Sequence, residues 1–578
     1  MAFPVYSDES RVVTVLLIVI LVTSLLFAGV YLLTTAQFYY DVYRAQHGKQ
    51  TGPFKPPQLP YVVPWLGNTA SFLAREPHKF WKQLFSWYPK SLGACTILLG
   101  GKQTLVSFNR HAAQYLMRDR ELTRNSFNMD VLVKGLGLTK EECSTYWEYH
   151  IPHTDTVSPA HEEHEKFHLE YLLKADRVNE LTVKFLETFK RTCADQYTDT
   201  PQEMNLYEWA RSVMFRASTT ALMGSRILEV CKDLETQFFQ FDQDMLSMFF
   251  GLPRFMIPNA YANREETIKS MIEWHDTVTK ESGGQIQDPT SVAWEPLYGS
   301  RLNRRRQQFY RKSGMGPNGW ARMDLGMMFG IISNATPAVG WMLMHILDSA
   351  RPENRPADDD ETTLFEHVMR EIRAAQKPDG SIDVLLLLNS PVLNSVLHEV
   401  LRFYVDVLIS RILHKDVNLP LADPKSDPSS PPAQKFIHLR TGSIIMAPSW
   451  AAHHDPTAWH SPFPAHPHPP PSQFYPYRFL TAHPNSPAEK PVFTTAHTTG
   501  AFFPFGGGRT ICPGRTFAKQ EILAAVAILL GDFDIEPVGF VDGKGRETAE
   551  FPGLRDSLPG SAVMVASGDM RVRIRLAG

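Results

Sequence analysis

The stretch Phe505-Gly506-Gly507-Gly508-Arg509-Thr510-Ile511-Cys512-Pro513-Gly514 leads into an apolar, helix-like run from Phe517 to Leu530. A thiol on a glycine-rich loop at the start of a helix is placed to become a thiolate. The helix dipole and the unpaired N–H groups of its first turn favour the anion. Thiolates ligate soft metals and haem iron. Three consecutive glycines let the backbone approach something flat and bulky where side chains would collide. A structural cysteine buried near a turn is the usual fate of a lone Cys, and this context disfavours it.

Outward from that loop, the 578-residue chain is long enough to bury one or two large cores. Its net charge is −3 with a pI near 6.7, without an extended basic stripe, so nucleic-acid binding has no electrostatic footprint. Five cysteines (Cys95, Cys143, Cys193, Cys231 and Cys512) are scattered without a CxxC pair. That argues against a disulfide framework or a zinc site and suits a reduced compartment. Val12 to Leu33 is uncharged and apolar. A bilayer-spanning helix needs roughly 20 such residues, and a signal-peptide core typically has only about 7–15. The run is therefore expected to be a retained anchor, single-pass. Arg11 precedes it and Arg44, Lys49 and Lys55 follow, a balance that is expected to leave the rest of the chain on the cytoplasmic side.

Residues 34–68 are expected to form a proline-rich, stiff linker, and 69–578 one large, mainly helical domain with a small β region. Cys95–Leu99 and Thr104–Phe108 flank Gly100-Gly101 and read as a β-hairpin. Helical periodicity runs through 161–193 and 205–224, and an apolar loop spans 248–258. Segments 284–306 and 418–436 read as surface loops, and so does the histidine- and proline-rich stretch 452–471. Met570, Val572, Ile574 and Leu576 alternate with Arg571, Arg573 and Arg575, as in a strand with one buried face.

The pattern Phe-x-x-Gly-x-x-x-Cys-x-Gly resembles the cysteine-ligand loop of the cytochrome P450 superfamily of haem-thiolate enzymes. Phe505, Gly508, Cys512, Gly514 and Ala518 stand at the family's spacing. Thr510 occupies the place of the usual base, and Arg509, one position earlier, is its candidate substitute. Glu399 and Arg402 lie three apart in an apolar helical run that Ser390-Pro391 opens as N-cap and first residue. In the family such a pair joins an arginine from a Phe-x-Pro-x-Arg-Phe segment. Phe474-Tyr475-Pro476-Tyr477-Arg478-Phe479 supplies Arg478 here. The resemblance also places Arg411 as a haem-propionate ligand, with Lys174 or His168 as candidates for a second.

The helical run Met323 to Leu347 contains Ser333-Asn334-Ala335-Thr336-Pro337, whose proline is expected to kink the helix. Relatives carry an acid and an alcohol here that relay protons to dioxygen; Thr336 and Pro337 occupy those places. The Asn-x-x-Pro variant is similar to the branch of sterol 7α-hydroxylases, sterol 12α-hydroxylase and prostacyclin synthase.

The resemblance implies a cytochrome P450 fold with one N-terminal transmembrane helix, binding haem b with Cys512 as axial iron ligand. It implies a monooxygenase acting on a lipophilic sterol, terpenoid or polyketide, in secondary-metabolite or lipid biosynthesis, at the endoplasmic reticulum membrane. Electrons would come from NADPH-cytochrome P450 reductase. Asn334 and Thr336 are the candidate catalytic residues, and the loop 248–258 would dip toward the bilayer. An isomerase or dehydratase acting on a peroxide or oxygenated substrate without dioxygen is the main alternative. A non-catalytic haem carrier is the other.

Overall fold

The computed structural model describes residues 8–47, 53–119, 122, 125–146, 159–195, 200–354, 362–421, 436–459, 468–482, 485, 490–508 and 511–577. The chain divides into two compact units, Met1–Leu122 with Leu408–Pro448, and Thr123–Val407 with Ser449–Gly578.

In the first unit one helix runs Asp8–His47. It is long and apolar enough to cross a bilayer, with a mean hydropathy of 2.8 in its most apolar window, and Leu16 to Leu26 stand exposed. It does not end near Leu33 as expected but continues to His47, because no proline interrupts before Pro53. Phe38 is buried there, edge-on to Trp87 with centroids 5.1 Å apart. The proline-rich stretch that follows is held by backbone hydrogen bonds. The Leu59 N–H donates to Thr96 O at 2.8 Å, the Thr96 N–H to Pro57 O at 2.9 Å and the Asn68 N–H to Leu98 O at 2.7 Å. It is laid along the first strand of the expected hairpin.

That hairpin is Ala94–Leu99 and Lys102–Ser107, closed by Gly100 and Gly101 at φ +52° and +80°. Both values are positive, as a tight hairpin with the right twist requires. Ile444–Pro448 adds parallel to the second strand and Leu408–Ile412 antiparallel to Ile444–Pro448, completing four strands. Part of the expected 418–436 loop is strand, since Val417–Pro420 pairs with Phe436–Leu439; residues 422–435 lie outside the described residues.

The second unit is built around the helix Pro317–Asp348, which packs against Leu206–Met223, Pro258–Glu281 and Arg515–Asp532. An almost all-round apolar sequence demands such burial. At Gly340 an added Cβ would lie 2.1 Å from Tyr207 Cδ2, so only glycine admits this crossing. Pro337 sits inside the helix without ending it. The periodicity at 161–193 resolves into two helices, Pro159–Leu173 and Ala175–Ala194. The C-terminal strand Asp569–Leu576 buries Met570, Val572 and Ile574 as expected, and Arg571, Arg573 and Arg575 form outward ion pairs. The 248–258 loop joins two helices and exposes Phe255 and Met256.

Three expectations fail here. Part of 284–306 is helix: Arg301–Lys312 starts on Ser300, whose Oγ accepts the Asn303 N–H at 3.2 Å. It buries Arg304 and Arg306, and Arg306 Nη2 donates to Met323 O at 2.7 Å and to the buried Asp324 at 3.2 Å. An arginine-rich run reads as solvated unless its carboxylate and carbonyl partners, distant in sequence, are known. Ser390 does not cap its helix; its Oγ donates to Leu386 O at 2.9 Å. The Val392 and Leu393 N–H groups go instead to Glu371, at 2.9 and 2.8 Å. In the stretch 452–471, His453 is fully buried on the helix Ser449–His453, while His460 and His466 lie outside the described residues.

Candidate functional site

The Cys512 loop turns on Gly506 and Gly508, at φ +70° and +67°, a region that side-chain-bearing residues avoid. The Cys512 N–H donates to Phe505 O at 3.0 Å and the Ile511 N–H to Gly508 O at 3.2 Å, closing the loop on itself. The helix Arg515–Asp532 begins immediately afterwards, with Gly514 O accepting the Ala518 N–H at 2.9 Å. Cys512 is half-buried, and a Cβ on Gly514 would lie 3.8 Å from its Sγ. Arg515 Nη1 donates to Cys512 O at 2.9 Å. Lys519, over the Phe505 ring at 6.0 Å, is held below the usual ammonium range by burial and then by Arg515. The helix N-terminus favours an anionic sulfur. Arg509 lies outside the described residues.

Glu399, Arg402 and Arg478 come together as a buried network. Arg402 grips the Glu399 carboxylate bidentately at 2.7 and 2.8 Å, and Arg478 Nε reaches the same carboxylate at 3.2 Å. The remaining guanidinium protons go to backbone carbonyls: Arg402 to His453 O (2.8 Å) and Pro471 O (2.9 Å), Arg478 to Pro469 O (2.9 Å) and Gln473 O (3.1 Å). The Tyr475 N–H adds a bond to Glu399 at 2.8 Å. One carboxylate against two cations is tolerable in a dry interior only with such saturation, and it pins the 469–479 segment to the helix Pro391–Tyr404.

His453 is the residue that sequence reasoning missed. Its backbone carbonyl serves Arg402 and its ring Nε2 accepts the Phe503 N–H at 3.1 Å, so one residue ties the network to the segment leading into the cysteine loop. Burial, then Arg402, pushes the imidazole down to about 3, so it stays neutral and accepting. Its position just before Asp455-Pro456, outside any regular motif, left no signal except the run of histidines around it.

On the helix Pro317–Asp348, Asn334 Oδ1 accepts the Val563 N–H at 3.3 Å, which orients the amide and leaves its N–H donors available. Thr336 is buried, and its hydroxyl finds no partner among the described residues. A second missed group is Asp242 on the helix Leu234–Phe249. Burial pushes its carboxyl up to about 6, against the pull of Ser333, Arg555 and Arg211. The helix of Asn334 carries no acid at the Thr336 position, and the carboxyl of Asp242 meets its Ser333 from another helix, a pairing no linear pattern encodes.

Arg411 lies in the first unit, buried on Leu408–Ile412, with Nη1 donating to Ser410 O at 2.9 Å. Lys174 is exposed and faces Glu170 at 3.6 Å; His168 Nε2 meets Arg306 Nη1 at 3.0 Å. Among the described residues no three His, Cys, Asp or Glu side chains gather to hold a bare metal ion. An iron at Cys512 must therefore bring most of its own ligands, as a porphyrin does. The glycine-built loop and its single thiol fit that group.

Residues 360–552 match the family model described as Cytochrome P450. The cytochrome P450 monooxygenase calL of Penicillium decumbens is 28% identical, over 88% of this chain and 91% of that protein. The cytochrome P450 monooxygenase efuG of Hormonema carpetanum is 26% identical, over 85% and 86%. The human 7-alpha-hydroxycholest-4-en-3-one 12-alpha-hydroxylase is 23% identical, over 91% and 94%.

Proposed function

For this chain, which has the cytochrome P450 fold and stands among the P450 monooxygenases as an oxidoreductase, we propose a membrane-anchored haem-thiolate monooxygenase. It hydroxylates or otherwise oxidises a lipophilic sterol, terpenoid or polyketide. Electrons come from NADPH-cytochrome P450 reductase, and the catalytic part faces the cytoplasm from the endoplasmic reticulum membrane. One observation carries this reading: Cys512 sits on a self-closed glycine loop at a helix N-terminus, its carbonyl held by Arg515. The names of the relatives, which include a steroid 12-alpha-hydroxylase, support the substrate class.

Cys512, with Phe505, Gly508 and Gly514 around it, would hold haem b, which when bound would supply the dioxygen activation. The chain contributes binding and proton control. The loop and the Glu399–Arg402–Arg478 network hold the sulfur in place. Asn334 presents amide N–H donors to a substrate oxygen or an ordered water. Asp242, titrating near 6, holds and releases a proton beside Ser333; Thr336 assists.

The test is Cys512→Ser. The carbon-monoxide spectrum of the reduced enzyme should lose the red-shifted band of thiolate-ligated haem; retention of that band means that another ligand has been overlooked. Isomerisation without dioxygen is the second reading, favoured by a Thr336 hydroxyl buried without a partner among the described residues and by Pro337 at the alcohol's place. Product formed without NADPH or dioxygen would establish it in place of the first.

A further inference from the structure

A cluster of aromatic rings forms where the helix Pro317–Asp348 meets the end of Pro391–Tyr404. Trp341 and Tyr404 lie parallel, centroids 3.8 Å apart and planes 5° apart. Electrostatics favours offset or edge-to-face pairs over such overlap. The Tyr404 Oη is 2.7 Å from His345 Nε2. Phe474 stacks on that imidazole at 3.6 Å and 1°, and Phe551 covers it from 4.6 Å. The indole N–H is committed to Met564 O at 2.7 Å.

The phenol finds no other acceptor among the described residues, so its O–H donates to Nε2 and the imidazole carries its own proton on Nδ1. Burial pushes His345 down to about 3, which keeps the ring neutral and able to accept at physiological pH. Burial, then Glu399, raises the phenol well above its ordinary range, so Tyr404 keeps its proton. An electron-rich ring pair in contact, one member with its proton aimed at a neutral base, is what reversible one-electron oxidation requires. The electron can leave because the proton has somewhere to go.

We propose that Trp341 and Tyr404 are a redox-active pair that discharges an over-oxidised haem when no substrate is in position. A bound haem oxidised by peroxide would take up the one electron that Tyr404 loses. The Oη–H bond breaks and an Nε2–H bond forms on His345, leaving a neutral phenoxyl stacked on Trp341 and an imidazolium. A one-electron reductant then restores the phenol as the proton returns. The role rests on the haem-binding reading of Cys512 but not on the substrate.

The experiment mixes haem-loaded enzyme with hydrogen peroxide in the absence of substrate, freezes it and records electron paramagnetic resonance. The expected result is a tyrosyl signal in the wild type, absent from Tyr404→Phe, with faster haem bleaching in that variant. His345→Leu leaves the phenol and removes its base; there the tyrosyl signal should form more slowly and more weakly. A loaded wild type without a radical, or a wild-type signal in both variants, overturns the proposal while leaving the haem assignment intact. Absence of Soret absorption from the wild type overturns both.

Discussion

The imidazole of His453 accepts the backbone N–H of Phe503 at 3.1 Å, two residues before the cysteine loop begins. Because the His453 carbonyl also binds Arg402, strain or slack in the buried charge network is transmitted to the loop that carries the sulfur. His453→Phe keeps the ring's bulk and strands a buried N–H, at a cost of about 1–3 kcal/mol. The expected outcome is a lower melting temperature and a larger share of reduced, carbon-monoxide-bound enzyme lacking the thiolate band. A variant matching the wild type in both would show that the link carries nothing.

Glu399→Gln removes the one negative charge between Arg402 and Arg478, both essentially excluded from solvent. Two cations left without their counter-charge should cost about 3–5 kcal/mol. Haem content per protein, read from the Soret band against total protein, should fall sharply. Undiminished content would mean that the backbone carbonyls alone hold the arginines.

Glu521, on the helix that follows Cys512, is pushed up to about 8 by burial, against a hydrogen bond from Ser218 at 3.0 Å. The folded protein therefore keeps a proton there that the unfolded chain releases. The stability this group contributes is fully present below its ordinary value of 4.5 and is lost as pH rises toward about 8. The slope is at most about 1.4 kcal/mol per pH unit. Glu521→Gln should remove that fall, melting higher than the wild type at alkaline pH and nearly level with it in mild acid. Parallel melting curves against pH in the two proteins would refute the buried neutral acid.

Asp242, raised to about 6, is protonated below that value and ionised above it. As a proton donor it should make product formed per NADPH consumed decline as pH rises through about 6. Asp242→Asn should lower that coupling at every pH and abolish the limb. A limb surviving in the variant would assign the titration to another group.

Much of this was legible in order along the chain. The cysteine loop, the Glu399-x-x-Arg402 pair, Arg478 and the Asn334–Pro337 segment are local patterns. Each keeps its chemistry because a few adjacent residues set the backbone: glycines that allow positive φ, a three-residue helical offset, a proline. The Gly100-Gly101 hairpin and the alternating C-terminal strand were readable for the same reason. What failed were inferences about solvation. Arg306 and His453 look like surface residues by type, and their partners Met323, Asp324 and Phe503 come from other elements of the chain.

The amino-acid order by itself determined the glycine-built cysteine loop, the apolar helix and the Glu399–Arg402 pair, since each depends on side chains within a turn or two or on uninterrupted composition. Only the tertiary structure decided which helix brings Asp242 to Ser333, which histidine ties the network to the loop, and which rings stack on Tyr404. Those depend on how helices cross, and crossing geometry is set by the summed packing of many buried side chains rather than by any short segment.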